Sequence, residues 1–286
     1  MLIDCRAIAR RLESEIAAEV ELLTSRGHRP LLCEIIATDN DGVHSYARTK
    51  AKKADALGIE YRPLVFDRSA DTAAIGEAIV SLNSAADVHG IMVGLPVYKH
   101  LDGESLANLI ASIKDIDGLG AINTFYLGTN QEHSAIAPAT AAAAIHIIQE
   151  LTSLQGRRVA VLGRGRTVGR PVAEMLVNRD STVTICHSRS TNIPDIVAGS
   201  EIIVSAVGRP HFIAADWLRE GQLVVDCGIS FVDGRTTGDV DSEEASKRGA
   251  MVTPVPGGVG VITNMIIFAN LLRAIRLQTG RSDAAT

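Results

Sequence analysis

The segment that most constrains this chain is residues 158–171, which reads Arg-Val-Ala-Val-Leu-Gly-Arg-Gly-Arg-Thr-Val-Gly-Arg-Pro. Its first apolar, β-branched part predicts a strand buried on both faces. Gly163, Gly165 and Gly169 follow at once, and Pro171 opens a helical pattern. Glycines let backbone approach a pyrophosphate, and a helix start offers unpaired N–H groups. The segment predicts a dinucleotide site, although its long glycine spacing also fits a turn in another α/β protein.

The residues after the next strand bear on the choice of cofactor. Residues 182–186 read as that strand, and an NAD site should place Asp or Glu at its end to bind the ribose hydroxyls. Here the strand is followed by His187, Ser188 and Arg189, with no carboxylate. A hydroxyl and a guanidinium suit a 2′-phosphate, and two arginines of the glycine turn add positive charge. The sequence therefore predicts NADP rather than NAD.

Composition narrows the class of partner. The chain has 286 residues, 46% of them hydrophobic, which suffices for one large or two ordinary domains. A formal net charge of −5 argues against nucleic acid or an anionic membrane as the main partner. We find no apolar run of the roughly 18 residues that a membrane span needs, and no metal-ligand spacing. Four scattered cysteines predict buried free thiols in a reducing cytoplasm.

Helical and strand patterns alternate along the chain, which implies mostly parallel sheets covered by helices. The patterns predict helices at 4–26, 43–57, 72–82, 103–113, 141–151 (with Thr140 as its cap) and 263–277. We predict an α/β protein of two domains, an N-terminal α/β/α domain and an NADP-binding Rossmann domain, with a deep cleft between them. The predicted boundaries are 1–139 for the first domain and 140–262 for the Rossmann domain. Residues 263–286 are predicted to form a C-terminal helix that packs back on the first domain, with a polar end at 279–286.

Ligands in such sheets bind outside the carboxyl ends of the strands. That rule places three polar turns, at residues 39–42, 94–96 and 115–118, around one site. The small-molecule partner is therefore expected at these turns and at the glycine turn.

Six motifs together carry a family resemblance. They are Tyr-Ala-Arg-Thr-Lys at 46–50, Lys-Asp-Ile-Asp-Gly at 114–118, Thr-Val-Thr-Ile-Cys-His-Ser at 182–188, Val-Asp-Cys-Gly-Ile at 225–229, Gly-Asp-Val at 238–240 and Thr-Pro-Val-Pro-Gly-Gly-Val-Gly at 253–260. In this order they resemble the bifunctional methylenetetrahydrofolate dehydrogenase/methenyltetrahydrofolate cyclohydrolase family, over essentially the whole chain.

The resemblance implies an activity. Family members pass a hydride from methylenetetrahydrofolate to NADP and hydrolyse the methenyl product to 10-formyltetrahydrofolate. By similarity Lys50 is the central catalytic residue, Tyr46 packs against the folate and Asp117 holds the pterin edge. Tyr46 and Lys50 lie one helical turn apart and share a face, and a carboxylate can accept two hydrogen bonds from an amino-pyrimidine edge. The resemblance also implies a homodimer joined through the dinucleotide domains.

Further site residues follow from the same resemblance. The expected substrate-binding residues are Tyr46, Gly94, Leu95, Pro96, Asp117, Pro256, Gly257, Gly258 and Val259. The expected cofactor-binding residues are Gly163, Arg164, Gly165, Thr167, Val168, Gly169, His187, Ser188, Arg189, Val207, Gly208, Gly228 and Ile229.

Taken singly, the same residues allow simpler interpretations. Lys50 lies among other basic residues, a pattern typical of a solvated helix face. Tyr46 alone would more often serve packing than ligand binding, and Asp117 could merely shape a turn that ends at Gly118.

Four departures from the family pattern leave the reaction open. Gly94 stands where the family has a Gln whose amide sets the catalytic lysine for hydrolysis. The family's Pro-Cys-Thr-Pro reads Pro-Ala-Thr-Ala at 138–141, Gly165 replaces a Ser, and Pro-Met-Thr reads Val-Ile-Thr at 261–263.

Three hypotheses follow from these departures. One is a methylenetetrahydrofolate dehydrogenase with weak or no cyclohydrolase activity. The second is a paralogue for another reduced pterin or one-carbon substrate, with a pocket enlarged at Gly94. The third is a catalytically silent folate- or nucleotide-binding protein.

Overall fold

The computed structural model describes residues 1–232 and 234–280. The first half of the chain contains α1 (Cys5–Ser25), β1 (Leu31–Ile36), α2 (Asp41–Ala56), β2 (Glu60–Val65), α3 (Thr72–Ser84), β3 (Gly90–Val93), α4 (Gly103–Leu109) and α5 (Ala121–Gly128). The second half contains α6 (Ala139–Leu151), β4 (Arg158–Leu162), α7 (Gly169–Val177), β5 (Thr182–Cys186), α8 (Ile193–Gly199), β6 (Ile202–Ser205), β7 (Leu223–Asp226), β8 (Ser230–Val232), β9 (Arg235–Thr237), α9 (Ser242–Lys247), β10 (Met251–Val252) and α10 (Val259–Thr279).

The chain forms two compact units, named here by their sheets. The three-stranded unit consists of Leu12–Ala137 and the residues from 267 onward, and the five-stranded unit of Met1–Arg11 and Pro138–Ile266. The predicted two-domain α/β fold with parallel sheets is confirmed. The domain boundaries predicted from the sequence stay predictions.

The three-stranded unit is built on a parallel sheet with the order β2-β1-β3. Every residue of β1 and β3 is buried, as expected for strands covered on both faces. The side chain of Asn40 caps α2 by accepting hydrogen bonds from the backbone N–H groups of Gly42 and Val43. Asp71 caps α3 in the same way. These caps fix where each helix begins after its strand.

The C-terminal part of α10 belongs to the three-stranded unit. The Asn270 amide donates to the carbonyl of Ile116 at 2.8 Å and to that of Ala137 at 3.0 Å, and Arg276 forms an ion pair with Glu19. By length and composition α10 could cross a membrane, but 67% of its most apolar window is buried inside the protein, as in a core helix. Most of the polar end predicted at 279–286, namely residues 281–286, lies outside the described residues.

The five-stranded unit has a parallel sheet with the order β10-β7-β6-β4-β5. All of β6 and β7 and four of the five residues of β4 are buried, which confirms the strand predicted at 159–162. Leu2 pairs with Val252 of β10, and the Ile3 N–H donates to the Val252 carbonyl at 2.9 Å, so the first residues of the chain extend this unit. The strands β8 and β9 form a separate antiparallel hairpin.

Several local predictions were wrong at element ends. Thr140 does not cap α6, because the helix begins at Ala139 after Pro138, without a side-chain cap. The helix predicted at 103–113 ends at Leu109, and α10 begins four residues before the predicted Thr263. The sequence patterns did not reveal α5, α9 or the hairpin.

Candidate functional site

Lys50 is buried rather than solvated. Its side chain is 2% exposed, and its Nζ lies 2.7 Å from Oε1 of Glu34, which is 0% exposed. The other carboxylate oxygen of Glu34 accepts a 2.5 Å hydrogen bond from the Tyr61 hydroxyl. Because buried charges are tolerated when they are paired and hydrogen-bonded, this cluster explains how α2 can turn a lysine inward. The local pattern of basic residues predicted that Lys50 lies on a solvated helix face, and that prediction is wrong.

Tyr46 and Lys50 share one face of α2, as their spacing predicted. The Lys50 Nζ lies 4.5 Å from the centroid of the Tyr46 ring, a cation–π contact. Burial raises the pKa of the Tyr46 hydroxyl, with the negative charges of Asp117 and Glu34 adding to the rise. The phenol therefore stays neutral, and Tyr46 is still 36% exposed, which leaves part of its surface for a ligand.

Asp117 belongs to the same electrostatic cluster. The pKa of this carboxyl is raised to about 7, mainly by burial; the charges of Asp115 and Glu34 contribute to the rise, and the charge of Lys50 opposes it. The side chain is only partly covered, so a ligand can reach it. A carboxyl with a pKa near neutrality can exist in both protonation states at the pH of a cell, which is typical of functional sites.

Asp115 holds the turn that carries Asp117. Its carboxylate accepts hydrogen bonds from the N–H groups of Gly118 and Gly120 and from the Asn123 amide, at 2.8–3.1 Å. The Ile91 N–H of β3 donates to the Lys114 carbonyl at 2.7 Å, which joins the turn to the sheet. Asp115 therefore has the turn-shaping role in this segment.

Gly94 lies at the end of β3 and is buried. A Cβ at this position would come within 2.9 Å of a Val43 methyl group, 3.3 Å of Glu34 Oε1 and 3.4 Å of the Ile35 carbonyl oxygen. The space that a side chain at position 94 would enter is thus filled by its neighbours. Gly94 was expected to enlarge the pocket, but Val43 and Glu34 lie where its side chain would begin. Leu95 and Pro96, joined by a cis peptide bond, follow Gly94 and are exposed.

In the five-stranded unit, the predicted cofactor residues gather at one sheet edge. Leu162 of β4 pairs with Cys186 of β5 and with Ser205 of β6, so these strands end side by side. Each predicted cofactor segment comes shortly after a strand end: the glycine turn after β4, His187–Arg189 after β5, Val207–Gly208 after β6 and Gly228–Ile229 after β7. This is the edge where ligands of parallel sheets bind.

The glycine turn fits a dinucleotide. A Cβ on Gly163 would come within 2.3 Å of the Ala206 carbonyl oxygen, and a Cβ on Gly169 within 2.3 Å of the Gly163 carbonyl oxygen, so only glycine is tolerated at both. By contrast, a Cβ on Gly165 would meet nothing within 4 Å, which leaves that side of the turn open. Helix α7 begins at Gly169 without a side-chain cap. The Arg170 N–H of this first turn donates to the Gly165 carbonyl at 3.0 Å and Pro171 has no N–H, so the start of the helix itself offers few N–H groups to a phosphate.

The arginine and hydroxyl predicted to bind a 2′-phosphate are accessible. Ser188 and Arg189 are exposed after β5, and Arg164 and Thr167 are exposed in the glycine turn. His187 is partly buried, and its Nδ1 accepts a 3.1 Å hydrogen bond from the Arg189 N–H, which shapes this loop. A hydroxyl and guanidinium groups at this edge suit an anion rather than ribose hydroxyls.

Two buried aspartates hold the remaining cofactor loops. Asp239 accepts hydrogen bonds from the Ser205 hydroxyl and from the N–H groups of Val207 and Arg209, all at 2.7–2.8 Å. Asp226 accepts from the N–H groups of Gly228 and Val240 at 2.8 and 2.9 Å. Burial raises the pKa of Asp226 to about 7. Through these hydrogen bonds the two carboxylates fix the backbone shape of the loops.

The segment 256–259 completes the predicted set and lies in the five-stranded unit. Pro256 follows a cis peptide bond, and Gly257 has a φ of 93°, in the left-handed region that favours glycine. A Cβ on Gly258 would come within 2.2 Å of the Pro254 carbonyl oxygen, and Val259 begins α10. These residues form a tight turn that requires both glycines.

Sequence reasoning missed Glu34, Tyr61, Asp226 and Asp239. A signal for Glu34 was present, because a lone carboxylate in the apolar run of β1 must have a partner when it is buried. The partner of Glu34 is far along the chain, however, and spacing could not identify it.

Comparisons with known proteins agree over the whole chain. Residues 3–117 match the family model of the tetrahydrofolate dehydrogenase/cyclohydrolase catalytic domain, and residues 138–279 match that of its NAD(P)-binding domain. The bifunctional protein FolD of Thermotoga maritima is 39% identical over 280 residues, which are 97% of this chain and 99% of that relative.

Two crystal structures are similar in fold. The bifunctional FolD methylenetetrahydrofolate dehydrogenase/cyclohydrolase of Campylobacter jejuni has a TM-score of 0.94 at 31% identity, covering 97% of this chain and 99% of the other. The methylenetetrahydrofolate dehydrogenase-cyclohydrolase of Trypanosoma brucei, complexed with NADP and an inhibitor, has a TM-score of 0.90 at 36% identity, covering 99% of both chains.

Proposed function

The chain belongs to the tetrahydrofolate dehydrogenase/cyclohydrolase family, and we propose that it oxidises 5,10-methylenetetrahydrofolate to 5,10-methenyltetrahydrofolate with NADP. The observation that carries this proposal is the buried Lys50, packed under Tyr46 and electrostatically coupled to Asp117. A structural lysine would not need an aromatic face and a second carboxyl whose pKa lies near 7. The solved relative from Trypanosoma brucei, which is complexed with NADP, supports the choice of cofactor.

Each residue has a role that its surroundings permit. The exposed part of the Tyr46 ring packs against the pterin, and ionised Asp117 accepts hydrogen bonds from its amino-pyrimidine edge. Lys50 lies at the reacting end, where its ammonium donates a hydrogen bond and orients the substrate. NADP would supply the hydride acceptor when bound, and the exposed Ser188 and Arg189 would hold its 2′-phosphate.

We further propose that hydrolysis to 10-formyltetrahydrofolate is weak. The amide that the family places at position 94 is replaced by Gly94, so Lys50 lacks that partner for general acid–base work. The second hypothesis, a paralogue for a bulkier substrate, needed extra space beside Gly94, and that space is filled by Val43 and Glu34. The structure thus offers no observation that favours the paralogue.

The test is an absorbance assay with methylenetetrahydrofolate and either NADP or NAD. We expect reduction of NADP with accumulation of the methenyl product, after spontaneous hydrolysis is subtracted. Lys50→Met should lower the rate by about 10²–10⁴-fold. Lys52→Met is the matched control, because Lys52 is exposed on the same helix and its loss should leave the rate unchanged.

The possible outcomes separate the hypotheses. Reduction without accumulation would mean that the enzyme is still bifunctional. No reduction with either cofactor would contradict the folate assignment and favour the silent binding protein or another substrate.

Location, pathway and assembly are part of the proposal. Free cysteines at all four positions, with Cys227 only partly buried, are typical of a cytoplasmic protein. There the product would supply one-carbon units, as for purine biosynthesis.

Two exposed apolar side chains support a homodimer joined through the five-stranded unit: Phe231 on the β8–β9 hairpin, 78% exposed, and Ile229 beside it, 61% exposed. Light scattering should give twice the chain mass of 30.3 kDa, and Phe231→Asp should lower it.

A further inference from the structure

Glu34 is a charged residue in the middle of a buried strand. All six residues of β1 are buried, and the neighbours of Glu34 in sequence, Cys33 and Ile35, belong to the hydrophobic core. An ionised carboxylate loses several kcal/mol of hydration when it is buried, and a buried ion pair seldom stabilises a fold more than apolar residues of the same size would. Stability alone therefore does not account for a glutamate at this position.

Both oxygens of the Glu34 carboxylate are occupied by side chains. Oε1 lies 2.7 Å from the Lys50 Nζ, and Oε2 accepts the hydrogen bond from the Tyr61 hydroxyl. Tyr61 lies on β2 opposite Leu32, which is two residues from Glu34 and on the same face of β1. Tyr61 thus orients the carboxylate, and the carboxylate orients the lysine.

Glu34 also stands against position 94. A Cβ built on Gly94 would point to within 3.3 Å of Glu34 Oε1 and within 2.9 Å of Val43. The carboxylate therefore lies at the start of the path that a side chain from residue 94 would take towards Lys50. A partner for the lysine has been supplied from β1 instead of from the residue after β3.

We propose that Glu34, held by Tyr61, is the positioning residue for Lys50 and takes over the function of the glutamine that the family has at position 94. The inference rests on the proposed dehydrogenase function and adds a residue to it. Glu34 acts through Lys50 and is not itself a catalytic residue.

The exchange of an amide for a carboxylate changes the charge around Lys50. The oxidation converts a neutral methylene bridge into a methenyl product that carries a positive charge. An unpaired ammonium nearby would repel that developing charge, whereas the carboxylate of Glu34 offsets it. For hydrolysis the requirement is different, because a lysine can take a proton from water only as a neutral amine, and a carboxylate beside it favours the ammonium form. The Glu34–Lys50 pair thus favours the dehydrogenase step over the cyclohydrolase step.

The test compares three variants with the wild type in the dehydrogenase assay. Glu34→Gln keeps the size of the side chain and removes its charge, and Tyr61→Phe removes the hydroxyl that orients it. Glu60→Gln on β2 is the matched control, because that glutamate pairs with Arg62 at the surface. The kcat and KM for methylenetetrahydrofolate are measured from pH 5 to pH 9, and the midpoint of thermal unfolding checks the fold.

We expect Glu34→Gln to lower kcat by about 10²-fold, the size of effect that a misplaced catalytic group produces, with little change in KM. The acid limb of the kcat/KM profile should move to lower pH. The groups that act on the Asp117 carboxyl are Asp115, Lys50 and Glu34, and loss of the Glu34 charge removes one cause of its raised pKa. Tyr61→Phe should give a smaller fall in kcat and leave the limb in place, because the carboxylate remains. Glu60→Gln should match the wild type.

The outcomes are distinguishable. An inactive wild type would overturn the proposed function and this inference with it. An active wild type with an unchanged kcat and pH profile in Glu34→Gln would overturn this inference alone. A purely structural role for Glu34 would lower the unfolding midpoint without moving the acid limb. If Glu34→Gln does not fold, Tyr61→Phe decides, and a wild-type kcat in that variant would contradict the proposal.

Discussion

Glu34 in the three-stranded unit and two aspartates in the five-stranded unit are buried acidic residues that are held in opposite ways. In the five-stranded unit Asp226 and Asp239 accept hydrogen bonds mainly from backbone N–H groups, and so fix the loops at the sheet edge. In the three-stranded unit the Glu34 carboxylate is held by the side chains of Lys50 and Tyr61. The first arrangement preserves a shape, whatever the ligand. The second positions a reactive group, and a substitution there changes chemistry before it changes the fold.

The largest expected effect comes from breaking the side-chain cluster. Glu34→Leu or Lys50→Met alone leaves an uncompensated buried charge, which should lower the free energy of unfolding by about 3–5 kcal/mol. The double variant buries no charge and should recover most of that loss while staying inactive. Urea unfolding and the dehydrogenase assay measure the two effects. A double variant as unstable as the single ones would show that the cluster is a fold element like the aspartates.

Removing Asp239, which accepts hydrogen bonds from backbone N–H groups, should affect stability and cofactor binding rather than the reactive lysine. Asp239→Ala leaves the N–H groups of Val207 and Arg209 and the Ser205 hydroxyl without their acceptor, which should cost up to about 3 kcal/mol. We expect the Kd for NADP to rise at least about tenfold, because the cofactor loops lose their shape. Titration calorimetry of NADP and of tetrahydrofolate separates the two sites. Equal weakening of both ligands would contradict a role confined to the cofactor loops.

Restoring a side chain at position 94 sharpens the comparison. Gly94→Gln should reduce stability by about 2 kcal/mol, because its Cβ meets Val43 in a packed site. The single variant should not gain methenyl hydrolysis. Adding Val43→Ala should recover most of the unfolding midpoint, whereas Val20→Ala, on α1, should not. Hydrolysis in the single variant would show that Glu34 does not exclude an amide from Lys50.

The smallest expected effect concerns pH. The pKa of Asp117 is about 7 in the folded protein, above the ordinary value of 3.8, so the folded state holds its proton more tightly. Stability should therefore fall as pH rises from about 4 to 7 and stay constant above that range. Asp117→Asn lacks this loss and should unfold at a higher temperature than the wild type at pH 8. The gain should vanish at pH 4; an equal gain at both pH values would contradict titration of Asp117 as its cause.

The sequence predicted the fold well where patterns are long or sterically strict. The glycine turn, the buried strand before it and the family itself were identified from local motifs, and the family models confirm the last of these. The missed elements α5, α9 and the β8–β9 hairpin have eight residues or fewer, too short for a clear period. Lys50 was found through its motif, but its burial depends on Glu34, sixteen residues away on another element. No local pattern reports such a pairing.

The packing around Gly94 limits the order in which this site can change over generations. Any larger residue at position 94 meets Val43 and Glu34, so a return to glutamine costs stability while both remain. Loss of Glu34 alone would strand the buried Lys50 without a partner. Each single step back is therefore harmful, although the complete set of exchanges need not be. We therefore expect positions 34, 43 and 94 to change together, so that relatives with glycine at position 94 also have glutamate at position 34.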